Sequence, residues 1–108
     1  MSEIIKELSV ILPTYNESES LSLTIENLCS EIKELDFEII VVDDNSPDKT
    51  WKIAEELSKT NKRIKLIRRL NSKGLSTAIF AGMIKSKGKV IAVMDADMQH
   101  DEKILPSI

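Results

Sequence analysis

Four short apolar runs separated by stretches of helical period constrain this 108-residue chain more than any other feature. Leu8–Leu12, Phe37–Val42, Ile64–Ile67 and Val90–Met94 are too short for helices and too continuous for strands with one wet face, so they read as strands of a covered sheet. Pro13 is expected to end the first. Between the first two, Leu21, Leu23, Ile25, Leu28, Cys29, Ile32 and Leu35 recur mainly every three or four residues, with Ser18 or Ser20 as N-cap. Asp48 is placed to cap a second helix whose inner side carries Trp51, Ile53, Ala54, Leu57 and Ser58. In the third helix Gly74, Ala78 and Gly82 fall four apart, a small-residue face that lets a helix lie close to a sheet. Gly88 ends that helix, and Asp101 begins a further helical turn. Val90–Met94 is expected to be buried on both faces.

Strand and helix in strict alternation dictate an α/β fold, a parallel open sheet with right-handed crossovers and helices on both faces. The expected strand order is 3-2-1-4, within a single domain over residues 1–108. Parallel strands put their carboxyl ends on one edge. The loops leaving that edge are Pro13–Glu17, Asp43–Pro47, Arg68–Gly74 and Asp95–His100, and they carry most of the polar chemistry, whereas the loops of the other edge are short and ordinary. Open α/β sheets bind ligands at this edge.

Asp95 and Asp97 follow the fourth strand and can converge across one turn. Read as a pair, they suit a hard divalent ion, Mg²⁺ or Mn²⁺, with Gln99 as a neutral oxygen donor and substrate phosphates completing the shell. Read blandly, they cap a strand and open a solvated loop. Two phosphate motifs are excluded: the three glycines, at 74, 82 and 88, form no G-x-G-x-x-G, and Gly88-Lys89 lacks the spacing and hydroxyl residue of a P-loop. Phosphates would need that metal, aided by Arg68, Arg69 or Lys73. Asp43 and Asp44 are placed to hydrogen-bond a base edge or ribose, and Tyr15 to cover a base face. Taken singly, each is equally a solvated loop residue. Their shared edge makes the case.

A net charge of −3 with basic residues scattered among more numerous acids argues against a nucleic-acid partner. The single cysteine, Cys29, reads as a core residue and can form no internal disulfide. No run reaches membrane-spanning length, and the start lacks the pattern of a signal peptide, so the expected location is cytoplasmic or peripheral to the cytoplasmic membrane face.

Four ordered segments carry a family resemblance. Val10-Ile11-Leu12-Pro13-Thr14-Tyr15-Asn16-Glu17, Ile40-Val41-Val42-Asp43-Asp44-Asn45-Ser46-Pro47-Asp48, Gly74-Leu75-Ser76-Thr77-Ala78 and Val93-Met94-Asp95-Ala96-Asp97-Met98-Gln99-His100 resemble the successive motifs of family-two glycosyltransferases, dolichol-phosphate mannose synthases most of all. The resemblance implies the Rossmann-like, nucleotide-binding half of a GT-A fold and a nucleoside diphosphate sugar as donor, GDP-mannose above others. It implies that Pro13, Tyr15 and Glu17 line the nucleotide pocket and that Asp43 contacts base or ribose. Asp44, Lys73 and Asp95 belong to the same donor site. Asp95 and Asp97 would hold Mg²⁺ or Mn²⁺ with Gln99, and His100 would sit beside them. A dolichyl or polyprenyl phosphate acceptor would attack the anomeric carbon with inversion through its own phosphate oxygen, so no protein base is named.

The family's acceptor-binding motifs lie beyond residue 108. The alternative function is therefore a nucleotide-sugar-binding or regulatory module without turnover. A phosphoacceptor receiver domain fits the length, but its acidic pair follows the first strand and here the pair follows the second. Finally, order 3-2-1-4 leaves the fourth strand at an edge, which predicts a homo-oligomer joined there.

Overall fold

The computed structural model describes residues 6–71 and 73–94. The elements run β1 (Lys6–Thr14), α1 (Leu21–Glu31), β2 (Phe37–Asp43), α2 (Thr50–Thr60), β3 (Ile64–Arg68), α3 (Leu75–Lys85) and β4 (Gly88–Val93). All three strand pairings are parallel, in the order β3-β2-β1-β4, the order expected from the sequence. The expected turn at Asp101 lies outside the described residues.

Alternation along the strands separates two cores. On one face Val10, Leu12, Ile39 and Val41 pack with Leu21, Ile25 and Leu28 of α1 and Ala54 of α2. On the other, Ile11, Ile40 and Val42 meet Ala78 of α3. The close approach of α3 is real. A Cβ on Gly82 would lie 2.7 Å from the Ile11 Cγ2, inside van der Waals contact. Gly74 differs from its expected part in that face. It precedes α3 at φ +120°, with room around it, so its need for glycine is conformational.

Three further expectations are corrected. Pro13 does not end β1 but pairs with Val42 inside it. The Ile11 carbonyl accepts from Met94 N–H on the β4 side, and the Thr14 carbonyl accepts from Asp44 N–H on the β2 side. The missing N–H of Pro13 therefore falls on the β4 side, past Ile11 with Val93, the last register pair among the described residues. Next, β4 is not buried on both faces. Ala92 is buried, Val90 and Ile91 are half-buried and Val93 is 45% exposed, because α3 packs over β1 and β2 and β4 stands at one end of the described sheet. Finally, the N-cap position of α2 is taken by Lys49 in the left-handed conformation. Asp48 still serves the helix start, its Oδ1 accepting from Thr50 N–H at 3.0 Å. Ser20 stands at the N-cap of α1 without a side-chain cap bond, and Leu35 lies beyond that helix.

One polar residue hidden in an apolar run holds the amino edge of the sheet. Glu38 of β2 is fully buried. Its Oε2 accepts from the Ser9 hydroxyl and from Lys87 N–H, both at 2.6 Å, and Lys65 Nζ lies 3.2 Å from Oε1. Ser9 Oγ accepts in turn from Gly88 N–H. Burial pushes the Glu38 carboxyl upward, but the Ser9 hydroxyl, the Lys87 amide and the Lys65 ammonium outweigh it and hold it below its ordinary value.

Two outcomes follow. A carboxyl depressed in the folded state contributes stability that is present above its unfolded value of about 4.3 and is lost as pH falls through the folded value. Urea unfolding at pH 7 should show Glu38→Gln destabilised by about 2–4 kcal/mol, and the deficit should shrink towards pH 3. Gly82→Val should cost about 1–3 kcal/mol through overpacking against Ile11, with Ser76→Val on the exposed side of α3 as the near-neutral control.

Candidate functional site

At the carboxyl edge the ends of three strands bring polar residues into register, Thr14 opposite Asp43 and Asp43 opposite Arg68. Asp43 is fully buried. Its Oδ1 accepts from the Thr14 and Ser46 hydroxyls at 2.6 and 2.7 Å, and its Oδ2 accepts from Ser46 N–H at 2.9 Å. Both oxygens are thus committed to protein donors, and Asp43 lines neither of the two cavities described below.

Asp44, one residue on, faces a different partner. The guanidinium of Arg69 grips it with two bonds, Nε to Oδ1 at 2.6 Å and Nη2 to Oδ2 at 3.0 Å. The same guanidinium donates to the Gly74 carbonyl and the Thr77 hydroxyl, and Gly74 N–H donates to Asp44 Oδ2. A planar fork with five donors suits this arrangement, in which one side chain ties the β3–α3 loop and the first turn of α3 to the end of β2. Arg68 is held elsewhere, stacked 3.5 Å above the Trp51 ring centroid with its Nε donating to Asn45 Oδ1. Of the three candidate phosphate-binding cations only Lys73 lines the cavity. Its ammonium stands 5.6 Å from the centre of the Tyr15 ring and has no carboxylate partner among the described residues.

Tyr15 and Lys73 flank an open cavity of about 420 Å³, with Pro13 and Leu75 as apolar walls and Asp44 and Gly74 at its polar side. Apolar walls with a few convergent polar groups describe a small-molecule site of ordinary size. Glu17 lies in a neighbouring polar cavity of about 550 Å³ with Asn16, Ser18 and Asp48. The structure therefore brings Pro13, Tyr15, Asp44 and Lys73 together, sets Glu17 beside them and Asp43 beneath them. Asp95, Asp97, Gln99 and His100 lie outside the described residues, among which no group of three or more His, Cys, Asp or Glu is placed to hold a metal ion. β4 nevertheless leads to this edge. Met94 donates to the Ile11 carbonyl, two residues before Pro13.

Sequence reasoning missed Arg69 as a structural fork, and missed Ser46 and Thr50. Ser46 Oγ accepts from Asn16 N–H, and Thr50 Oγ1 accepts from Glu17 N–H, both at 2.9 Å. The available signal was the density of Asn, Ser, Thr and Asp in the segment 43–50, the residue types that bond to nearby backbone. Asn16, Asn45 and Lys49 all adopt positive φ, and all three lie in these edge loops.

Arg69→Ala should destabilise the fold by about 2–4 kcal/mol, because it leaves the Asp44 carboxylate largely buried without its counter-ion. Arg69→Lys should recover less than half of that loss, since a single ammonium cannot reproduce the fork. Urea unfolding of the three proteins checks both.

Known proteins resemble this chain in sequence and in architecture. The sequence profile of glycosyl transferase family 2 matches residues 9–108. Dolichol-phosphate mannosyltransferase of Pyrococcus furiosus is 45% identical over 102 residues, 94% of this chain and 29% of its own length. The putative glycosyltransferase CsbB of Bacillus subtilis is 37% identical over 91% of this chain and 30% of its own length. The chain thus spans about three-tenths of the curated relatives it matches. Among solved structures, the Pyrobaculum calidifontis mannosyltransferase PcManGT, in complex with GDP-Man and Mn²⁺, superposes with a TM-score of 0.73 at 23% identity, covering 87% of this chain and 28% of that one. S. aureus TarS 1-349 in complex with UDP gives 0.66 at 27% identity, covering 84% of this chain and 27% of that one. The match across residues 9–108 decides the family, and this chain belongs to glycosyl transferase family 2.

Proposed function

We propose that the chain binds a nucleoside diphosphate sugar, GDP-mannose above others, at the cavity between Tyr15 and Lys73, as the donor site of an inverting transferase. The observation that carries this reading is the cavity itself, an apolar slot at the carboxyl ends of parallel strands lined by an aromatic ring and by a cation that stands over that ring without a carboxylate partner among the described residues. Tyr15 would cover a base face, Asp44 would meet the base or ribose, and Lys73 would neutralise the diphosphate. Pro13 and Glu17 would complete the surroundings, with Asp43 acting from below through Thr14 and Ser46.

Mg²⁺ or Mn²⁺ belongs to the proposal, with Asp95, Asp97 and Gln99 as an all-oxygen donor set that begins one residue after Met94. When bound, the ion would supply Lewis-acid neutralisation of the leaving diphosphate. The acceptor proposed is a dolichyl or polyprenyl phosphate, whose own oxygen attacks the anomeric carbon, with the protein lying peripherally on the cytoplasmic face of a membrane. No helix among the described residues is long and apolar enough to cross one. Pairing with a second copy along β4, which among the described residues is bonded only to β1, completes the proposal.

Calorimetric titration with GDP-mannose and UDP-glucose, each with Mn²⁺ and with EDTA, tests it. GDP-mannose should bind more tightly than UDP-glucose, and EDTA should weaken both. Tyr15→Ala should cost about 1–3 kcal/mol of binding, the usual worth of a base stacked on an aromatic ring, and Lys73→Ala roughly tenfold in affinity. Asp97→Asn should abolish the difference between Mn²⁺ and EDTA. Equal affinity in both media for the unaltered chain would remove the metal from the reading, and no binding of either sugar nucleotide would remove the reading itself.

A further inference from the structure

The β1–α1 loop, which presents Tyr15, closes on itself at its far end, where Ser20 and Leu21 N–H donate to the Glu17 carbonyl. It is also held from the β2–α2 segment, about thirty residues away, through three successive backbone amides. Asn16 N–H donates to Ser46 Oγ at 2.9 Å, Glu17 N–H to Thr50 Oγ1 at 2.9 Å and Ser18 N–H to Asp48 Oδ2 at 3.0 Å. In return Asn16 Oδ1 accepts from Asp48 N–H at 3.4 Å.

Each hydroxyl in this lacing is committed on both sides. The Ser46 hydroxyl donates to Asp43 Oδ1 at 2.7 Å, and the Thr50 hydroxyl donates to Asp48 Oδ1 at 2.5 Å. Two parallel chains result, each running from backbone amide to hydroxyl to carboxylate. A hydroxyl whose proton is claimed by a carboxylate can offer only its lone pairs to the loop, so the direction of both bonds is set and the loop has one way to dock. Ser46 and Thr50 are almost fully buried. Asn16, at φ 58°, turns the backbone so that the amides of residues 16 to 18 reach three different side chains.

We propose that Thr50, Asp48 and Ser46 are positioning residues for ligand binding, which fix the β1–α1 loop in the conformation that sets Tyr15 beside Lys73 at the cavity. The inference rests on the nucleotide reading above, and none of the three touches the ligand in it. A tyrosine on an unheld loop would have to be ordered at the moment of binding, and the affinity would carry that cost. The lacing meets it in advance, during folding.

The test uses the 108-residue chain, ¹⁵N-labelled, with GDP and Mn²⁺ as the probe. Thr50→Val keeps the shape of the side chain and removes the hydroxyl. It should speed hydrogen exchange at Glu17 N–H while the amides of Ile39–Val42 stay protected. It should also weaken GDP binding by roughly three- to tenfold, the worth of about one hydrogen bond. Thr50→Ser should restore both readouts, which a simple loss of packing would not allow. If Thr50→Val does not fold, Ser46→Ala decides by the same two measurements at Asn16 N–H. Faster exchange with unchanged GDP affinity would overturn the positioning role, as would a Thr50→Ser protein no tighter than Thr50→Val. An unaltered chain that binds neither GDP nor UDP would instead overturn the nucleotide reading on which the inference rests.

Discussion

The Asp43 carboxylate is buried where β1 and β2 end, and the layout of the carboxyl edge depends on what it binds. Left unpaired there, a charge would cost several kcal/mol. Hydroxyls from Thr14 and Ser46 and one backbone amide satisfy it. Those bonds fix the turn after β2, and that turn carries Asp44 outward to Arg69. Arg69 then anchors the β3–α3 loop that brings Lys73 to the cavity. Cavity walls from three separate loops are thus referred back to one buried group.

A common device serves both edges of the sheet. At the amino edge the Gly88 amide donates to the Ser9 hydroxyl and that hydroxyl to the Glu38 carboxylate. At the carboxyl edge the amides of Asn16 and Glu17 do the same through Ser46 and Thr50 to Asp43 and Asp48. The hydroxyl converts a carboxylate, which only accepts, into a directed acceptor one bond further away. In each case a connection is tied to a distant segment, with Glu38 and Asp43 fully buried and Asp48 at the surface.

Strand positions and order were legible because continuous apolar runs and helical period are written locally. The error at Pro13 arose because a proline is harmful only if its N–H side is paired, and among the described residues the last pair on that side is Ile11 with Val93. The error at β4 has a related origin. Val90–Met94 has the composition of a doubly covered strand, and the extent of α3 over its neighbours is not a local property. Within the site the edge loops were legible from strand direction alone. The division of labour between Asp43 and Asp44 was not, since these adjacent acids are separated only by partners at Thr14, Ser46 and Arg69. Likewise Arg68 and Arg69 look equivalent in sequence, and the extended backbone sends one to Trp51 and the other to Asp44. The part played by Glu38 was not legible within its strand, because its partners come from Ser9, Lys65 and Lys87.

The stack of Arg68 on Trp51 has an optical consequence. Trp51 is the only tryptophan of the chain, it follows Thr50 directly, and a guanidinium lies 3.5 Å over its indole. Its fluorescence therefore reports on one small neighbourhood, the junction of the β2–α2 turn with the end of β3, undiluted by other emitters of its kind. Motion of Arg68 away from the ring changes the polarity and charge felt by the indole. The chain thus carries its own intrinsic probe a few residues from the cavity, readable without a label.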